Sequence, residues 1–344
     1  MRIAAIAAVL PEHEMSNEDV IEHLRQGSCE PETPARAKLY ADIRRTQDRC
    51  GTQTRFYGTP RPGYALDLAR EAARQALAAA DVSAADIDFI IYCSVARGWL
   101  EPSTAAAIQH AIGAERASCF DIIEACAAWM RAAQTANAFL KTGVYQRGLL
   151  VGVEAGMRTY SREYDLHEAG PTDLASFTVG EAATATVVEA GPVDDFVCEI
   201  RSLGQYHDLC MLPLQNSEYF LPHNKRGSMT PNRFYVRSDK LFYQSMTELV
   251  DMLRPRLQAI GLDTIDLFIL HAASSRAGHV VRRTLGIPES KWFCPHDRFA
   301  NTAAMSIPLA LATAVREGKL NRGDKLSILI AAGGISIGYG MFTY

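Results

Sequence analysis

Continuous apolar runs alternate with alanine-rich stretches along most of the chain. Four unbroken hydrophobic runs predict strands that are buried on both faces, at Asp88–Val95, Gly148–Glu154, Asp266–Ala273 and Leu326–Gly334. Between these runs, helical stretches are predicted at Asp67–Ala80, Ala127–Lys141, Thr247–Ile260 and Pro308–Glu317. This alternation of strands and helices predicts a layered α/β architecture.

The order of helix end, turn, acidic residue and buried strand is used twice. The segment LAAADVSAADIDFIIYCS is echoed by LQAIGLDTIDLFILHAA, and FLKTGVYQRGLLVGVE is echoed by VREGKLNRGDKLSILIAAG. Cys126 and Asn301 each precede a predicted helix that ends 17 residues later, at Gly143 and Gly318. The matching predicts a duplication into two similar halves, residues 1–195 and 196–344, with Cys126 and Asn301 at equivalent positions. The alternative is the ordinary strand–helix echo of any α/β protein.

A pseudo-twofold arrangement of the halves would bring both of these helix starts to one central site. His271 follows a buried strand of the second half, where the loops of parallel sheets collect functional groups. A cysteine, a histidine and an asparagine are therefore expected near one another.

Composition and charge exclude several classes of protein. Hydrophobic residues make up 48% of the chain and charged residues 22%, which predicts a well-buried core. A net charge of −4 argues against a nucleic-acid surface. The apolar N-terminal run is too short for a membrane span and predicts a first strand, while the glycine-dense run Leu326–Phe342 predicts two buried strands meeting at a turn. We therefore expect neither a nucleic acid nor a membrane as partner.

The eight cysteines show no CxxC pair and no zinc-type spacing with histidine. Nothing in their spacing indicates a disulfide framework, so a cytoplasmic location is expected. Most of them are expected to fill small buried sites.

Four segments occur in the order and with the spacing of a known family. They are FDIIEACAAW (Phe120–Trp129), LHAASSR (Leu270–Arg276), DRFANTAAMSIPLAL (Asp297–Leu311) and AAGGISIG (Ala331–Gly338). Together they resemble the β-ketoacyl-acyl-carrier-protein synthase III group of the thiolase superfamily, and the resemblance runs over essentially the whole chain. It implies a thiolase fold with a layered αβαβα arrangement and a homodimer.

The resemblance also implies roles for individual residues. The nucleophilic cysteine corresponds to Cys126, the catalytic histidine to His271 and the catalytic asparagine to Asn301. The oxyanion hole would consist of the backbone N–H groups of Cys126 and Gly333, and Arg276 would help to receive CoA or acyl carrier protein. CoA or phosphopantetheine thioesters would be the substrates, and no metal or redox cofactor is implied.

Other positions depart from the family pattern. The nucleophile segment reads ACAAW instead of ACAGF, so Trp129 is expected to reshape the acyl pocket. Ser274 stands in place of an asparagine, and Phe299-Ala300 replaces a His-Gly pair. The segment RCGTQTR (Arg49–Arg55) is similar to the family's Arg-x-Gly-Ile-Arg turn, but Gln53 replaces an arginine that contacts the nucleotide.

The segment GWLEPSTAA (Gly98–Ala106) is similar to one in condensing enzymes that join two long acyl chains head to head. In those enzymes a glutamate reaches across the dimer as a base, and it corresponds here to Glu101. The alternative is a carboxylate that caps a helix start near Ser103 and Thr104.

A basic region before Tyr64 suits the phosphates of CoA or the acidic face of a carrier protein, and Arg55 is the residue in it most expected to bind them. Ordinary solvated surface is the alternative. The basic residues are Arg36, Lys38, Arg44, Arg45, Arg49, Arg55 and Arg61. The stretch Tyr206–Asp239 is expected to form part of a substrate entrance or an insertion loop, and His296 is expected on a surface loop.

The chemistry explains this choice of side chains. A thiol at a helix start gains from the local N–H groups, which are expected to lower its pKa, and a thiolate exchanges readily with a thioester. Histidine and asparagine can both donate hydrogen bonds to a thioester oxygen as negative charge develops on it.

We therefore expect an acyltransferase that forms an acyl-Cys126 intermediate and condenses it with a malonyl- or β-ketoacyl-type thioester, in specialised-metabolite biosynthesis and not in bulk fatty-acid initiation. Two alternatives stay open at this point. The first is acyl transfer to an oxygen or nitrogen acceptor by the same route, and the second is a non-catalytic partner subunit of a heterodimer.

Overall fold

The predicted buried strands assemble into two mixed five-stranded sheets. The computed structural model describes residues 1–26, 33–156, 174–191, 195–215, 217–220, 231, 233–271 and 273–344.

The described strands and helices are numbered in chain order. The strands are β1 (Arg2–Val9), β2 (His13–Ser16), β3 (Thr54–Tyr57), β4 (Phe89–Tyr92), β5 (Ser118–Asp121), β6 (Arg147–Glu154), β7 (Ala182–Glu189), β8 (Val197–Ser202), β9 (Cys210–Met211), β10 (Tyr235–Val236), β11 (Leu267–Leu270), β12 (Trp292–Phe293), β13 (Lys325–Ala332) and β14 (Ser336–Thr343). The helices are α1 (Asn17–Gln26), α2 (Pro34–Cys50), α3 (Tyr64–Ala80), α4 (Thr104–Ile112), α5 (Ala128–Thr142), α6 (Ser238–Ile260), α7 (Ser275–Thr284), α8 (His296–Phe299) and α9 (Ser306–Arg316).

The two sheets have the same strand order and the same strand directions. The first runs β1-β7-β6-β4-β5 and the second β8-β14-β13-β11-β12. In both, the last three strands are parallel and the first two pairings are antiparallel. The prediction of two similar α/β halves is therefore confirmed.

The acidic residues of the repeat have matching hydrogen bonds. The Asp88 carboxylate accepts from the backbone N–H of Arg147 at 2.9 Å, and the Asp266 carboxylate accepts from that of Lys325 at 2.8 Å. Both pairs are 59 residues apart in the chain. In each half the aspartate thus joins the entry of one buried strand to the entry of its parallel neighbour.

Helices and sheets alternate in five layers. Helices α5 and α9 lie between the two sheets, and the apolar side chains of the central layer form one buried cluster with both sheets. The outer face of the first sheet is covered by α3 and α4, and that of the second by α6 and α7. The fold is the layered αβαβα arrangement expected from the sequence.

Smaller pieces surround this framework. The ribbon β2–β3 and helices α1 and α2 form a fourth apolar cluster with the segment Leu174–Phe177. The stretch expected to be an entrance or insertion loop contains the ribbon β9–β10 and the start of α6, which begins nine residues before the predicted helix at Thr247. Residues 221–230 of that stretch lie outside the described residues.

The apolar ends of the chain are β-strands, as predicted: β1 begins at Arg2, and β13 and β14 meet at a turn. Among the described residues no helix is both long enough and apolar enough to cross a membrane.

Candidate active site

Cys126 lies in a tight turn between β5 and α5. The turn is closed by the backbone N–H of Ala127, which donates to the carbonyl oxygen of Glu124 at 2.9 Å, and helix α5 begins two residues after the cysteine, at Ala128. Ala125 has a positive φ of 45°, a conformation that non-glycine residues rarely adopt. The thiol is thereby held at the N-terminal end of α5.

Burial raises the pKa of the Cys126 thiol, and the nearby charges of Cys210 and Glu154 act in the same direction. The expectation of a lowered thiol pKa at a helix start was therefore wrong for the unliganded site. The loss of hydration of the thiolate outweighs the favourable field of the helix. The thiol is protonated at neutral pH.

Asn301 lies between α8 and the 3-10 turn Ala303–Met305. Its backbone N–H donates to the carbonyl oxygen of Thr178, and its own carbonyl oxygen accepts from Gly180, both at 3.1 Å. The side-chain Oδ1 accepts from the N–H of Ala303 at 2.9 Å. This side chain is therefore fixed to the start of the 3-10 turn and not to α9, which starts only at Ser306.

Backbone strain is concentrated at these two turns. Among the described residues, four non-glycine residues have positive φ, and three of them adjoin Cys126 or Asn301, namely Ala125, Ala300 and Ala303. Ala300, with φ 59° and ψ −160°, occupies a region that favours glycine, at the position where the family pattern has one. Such strain persists only where surrounding contacts impose it, and it is common at functional sites.

His271 is the first residue after β11. Its backbone N–H donates to the carbonyl oxygen of Leu329 at 2.9 Å, so it leaves β11 at the same end at which Gly333 leaves the parallel strand β13. The side chain is buried, and its Nδ1 has no hydrogen-bond partner among the described residues. Burial, reinforced by the charge of His296, lowers the pKa of His271 to about 3. The imidazole is therefore neutral at physiological pH, with one N–H donor.

Gly333 lies in the turn between β13 and β14, against the turn of Cys126. A Cβ atom on Gly333 would lie 3.0 Å from the Cβ atom of Cys210 and 3.9 Å from that of Ala125. The glycine thus allows the turns of the two halves to approach each other closely. A larger residue at this position would push them apart.

A buried carboxylate that the sequence analysis did not single out joins several of these loops. Glu154, the last residue of β6, accepts from the backbone N–H groups of Val95, Ala96 and Ala304 at 3.0, 3.1 and 3.4 Å. Burial raises its pKa, and its charge acts on Cys126. The available sequence signal was an acidic residue that directly follows the apolar run Gly148–Val153.

Family models match two parts of the chain. The model described as 3-oxoacyl-[acyl-carrier-protein (ACP)] synthase III matches residues 120–202, and the one described as its C terminal matches residues 257–344. The β-ketoacyl-[acyl-carrier-protein] synthase III of Erythrobacter litoralis is 31% identical over 284 residues, covering 80% of this chain and 83% of the relative. That of Laribacter hongkongensis is 32% identical over 282 residues, covering 81% and 83%.

The chain belongs to the β-ketoacyl-acyl-carrier-protein synthase III family. It is accordingly an acyltransferase of the condensing-enzyme class.

Solved structures share the fold of this synthase III family member. OleA from Xanthomonas campestris, a cysteine-to-serine variant solved with lauric acid and lauroyl-CoA, has a TM-score of 0.83 at 21% identity and covers 99% of this chain and 98% of its own. The 3-oxoacyl-[acyl-carrier-protein] synthase III of Aquifex aeolicus has a TM-score of 0.79 at 24% identity, with coverages of 100% and 99%. The predicted thiolase fold is thereby confirmed.

The two arginines expected to receive CoA or carrier protein lie in different environments. Arg276 is exposed in the first turn of α7, beside the turn at Gly51. Arg55 is fully buried, and its guanidinium donates to the carbonyl oxygen of Phe177 and to Asn17. A contact between Arg55 and a ligand phosphate does not fit this position, because the guanidinium already holds α1 and the Phe177 segment in place.

Most of the basic region forms ion pairs on the protein surface. Arg44 binds Glu18 through two hydrogen bonds of 2.7 Å, and Lys38 pairs with Asp42 at 2.9 Å. The geometry matches the alternative of a solvated, charge-balanced surface for these members.

His296 differs from its predicted surface position, since it is buried in α8.

Glu101 is exposed in the loop before α4. The start of α4 is capped instead by Asp121, whose carboxylate accepts from the N–H groups of Thr104 and Ala105 at 2.8 and 2.9 Å. Asp121 therefore occupies the capping position that the alternative gave to Glu101, while a carboxylate that balances the helix dipole stays an alternative for Glu101.

Trp129 lies in the central core, in the first turn of α5. Its indole N–H donates to the hydroxyl of Thr186 on β7 at 3.2 Å, and its side chain is 1% exposed. The indole occupies the space between α5 and the first sheet. Any effect on an acyl pocket would come through this packing.

Proposed function

We propose that the enzyme loads an acyl group from CoA or acyl carrier protein onto Cys126 and condenses it with a malonyl- or β-ketoacyl-type thioester in a Claisen reaction, in the cytoplasm and in specialised-metabolite biosynthesis. The observation that carries the proposal is the approach of the Cys126 turn to the Gly333 turn of the other half, since a Cβ atom on Gly333 would lie 3.9 Å from that of Ala125. The acyl-CoA found with OleA, which shares this fold, supports CoA thioesters as donors.

In the first step the Cys126 sulfur attacks the thioester carbonyl. The bond from carbonyl carbon to CoA sulfur breaks, and the thiol proton leaves with CoA. The backbone N–H groups of Cys126 and Gly333 would stabilise the oxyanion. Because the resting thiol has a raised pKa, deprotonation is coupled to the arrival of the substrate.

In the second step the acceptor becomes a carbon nucleophile. Loss of carbon dioxide from a malonyl thioester leaves an enolate, whose oxygen would accept hydrogen bonds from His271 and Asn301. A neutral His271 suits this role, since it keeps one N–H donor without placing a positive charge in the buried site. The enolate carbon then attacks the acyl carbonyl, and the thiolate of Cys126 leaves.

A non-decarboxylating acceptor would instead need a base, and we propose Glu101 of a second copy for it. Glu101 is exposed and follows Leu100, which is 70% exposed, while Ile123 near the nucleophile turn is 61% exposed. Apolar side chains that are this exposed to solvent support an interface between two copies. Analytical sedimentation of the wild type and of Leu100→Asp would test the homodimer. A wild type that sediments as a monomer would contradict it.

Intact-mass analysis after exposure to a panel of acyl-CoAs tests the loading step. Wild type should gain one acyl mass and Cys126→Ser none. Malonyl-CoA should then release carbon dioxide and a β-keto product. Asn301→Ala should still load but condense about 100- to 1000-fold more slowly. Absence of any acyl adduct, or transfer to an oxygen or nitrogen acceptor without carbon dioxide, would refute the proposal.

A further inference from the structure

A cavity of about 540 Å³ adjoins the Cys126 turn on the side of Gly333. Ala125, Cys210 and Gly333 line it, and Ala125 directly precedes the residue that would carry the acyl group. The lining also includes charged and hydroxylic side chains, contributed by Glu124, Arg131, Ser202 and Ser336. Among the described residues that line the cavity there is no large aliphatic or aromatic side chain.

The polar groups of the wall form one network. Arg131 donates to the two carboxylate oxygens of Glu124 at 2.5 and 2.9 Å, and the hydroxyl of Ser336 donates to the same carboxylate at 2.8 Å. Arg131 also donates to Gln134 at 2.7 Å. The network is fixed from both halves of the molecule, since Glu124 and Arg131 belong to the first and Ser336 to the second.

The network retains capacity for a ligand. A guanidinium has five N–H donors and these contacts use three, and a carboxylate has about four acceptor sites, of which three are used. Its net charge is zero, because the arginine and the glutamate compensate each other. A plain alkyl chain placed here would cover polar groups without pairing them, which is unfavourable.

We propose that this cavity receives the acyl group carried by Cys126 and selects short acyl chains that bear an uncharged oxygen, a hydroxyl or a keto group, over alkyl chains of the same length. The inference rests on the proposed acyl-Cys126 intermediate and adds the class of acyl group. Arg131, Glu124 and Ser336 are then specificity-determining residues.

The rate of acyl-Cys126 formation, followed by intact mass, tests the preference in wild type. 3-Hydroxybutyryl-CoA and acetoacetyl-CoA should load about fivefold faster than butyryl-CoA, the factor expected for one additional hydrogen bond of ordinary net strength. Succinyl-CoA, whose charge has no free counter-charge here, should load more slowly than 3-hydroxybutyryl-CoA. Equal or faster loading of butyryl- or succinyl-CoA would overturn the inference and leave the proposed function standing. No loading of any thioester would refute both.

A paired substitution tests the network itself. Glu124→Leu with Arg131→Met should lower the ratio of 3-hydroxybutyryl to butyryl loading at least about fivefold, through loss of the polar partners. A matched control is Glu189→Leu with Arg147→Met, because that ion pair has side-chain exposures of 17% and 32% against 17% and 30% for Glu124 and Arg131. The control should leave the ratio unchanged.

An unchanged ratio in the folded Glu124–Arg131 double variant would overturn the assignment. Ser336→Ala, which removes a single hydroxyl, provides a second variant in case the double change prevents folding. It should lower the same ratio about two- to threefold, and an unchanged ratio would again count against the cavity.

Discussion

At the scale of single residues, the candidate site contains backbone strain that is not evident from the sequence. Alanine is an ordinary residue in helices and strands, yet Ala125, Ala300 and Ala303 adopt positive φ beside Cys126 and Asn301. The cost of such conformations is of the order of 1–3 kcal/mol each, so the packing around the two turns must impose them.

Substitution of Ala300 by glycine tests this strain. Ala300→Gly should raise the free energy of unfolding by about 1 kcal/mol, because the relief of a left-handed backbone exceeds the added freedom of the unfolded chain. Urea unfolding measures the difference. Asp81→Gly is the control, since Asp81 has φ 54° at the end of α3, away from the site, and should gain similarly. A loss of stability in Ala300→Gly alone would contradict the strain argument.

The raised pKa of the Cys126 thiol predicts a distinctive pH profile. Below its pKa the thiolate fraction rises about tenfold per pH unit, so alkylation of Cys126 by iodoacetamide should keep rising beyond pH 9. His271, with a pKa near 3, adds no inflection between pH 5 and 9. Peptide-level mass spectrometry measures the rate, with an unstructured cysteine-containing peptide, whose alkylation levels off above about pH 8.5, as reference. A plateau at Cys126 below pH 8 would contradict the prediction.

The sequence predicted the candidate site residues that lie in recognisable motifs, and it did not predict properties that depend on burial. Cys126, His271 and Asn301 stand in recognisable segments, so their positions on turns and strand ends could be anticipated. Arg55 was expected to bind a ligand but is buried in the protein. The pKa of the Cys126 thiol was expected to be lowered but is raised. Both errors have one cause, since desolvation depends on contacts that are distant in the chain.

At the scale of elements, periodicity predicted the buried strands and the central helices well. The strands expected at Gly148–Glu154 and Leu326–Gly334 are observed within two residues as β6 and β13. Helix α6 begins much earlier than predicted, because its first turns carry mixed polar and aromatic residues that are mostly exposed and so show no periodic apolar face. The hydrogen bonds that join strand ends to loops had no local signature.

Glu154 provides a test of what the hydrogen bonds between a strand end and its neighbouring loops contribute. Glu154→Gln places an amide N–H₂ where one carboxylate oxygen now accepts a backbone N–H, so it should lower the free energy of unfolding by about 2 kcal/mol and slow acyl loading of Cys126. Urea unfolding and intact mass give the two readouts. Asp88→Asn is the control, since Asp88 also accepts backbone N–H groups but at the entry of β6, and it should affect stability only. Normal loading by Glu154→Gln would show that Glu154 does not position the site.

At the scale of the whole molecule, the repeat in the sequence predicts two halves, and the core shows how they are joined. The largest buried cluster contains side chains of β4, β6 and α5 from the first half and of β11, β13 and α9 from the second. The turns of Cys126 and Gly333 meet where these halves approach. A site assembled in this way depends on the interface between the halves as much as on either sheet.

The shared core predicts that the halves unfold together. Trp129 reports on the first half and Trp292 on the second, so two variants, Trp99→Phe with Trp292→Phe and Trp99→Phe with Trp129→Phe, isolate each signal. In urea, the fluorescence midpoint of each variant should coincide with its own midpoint by far-UV circular dichroism, because neither half can keep its inner sheet face buried without the other. Comparing each variant with itself removes the effect of the substitutions on stability. The halves are independent domains if, in the variant that retains only Trp292, the fluorescence changes while most of the circular dichroism persists.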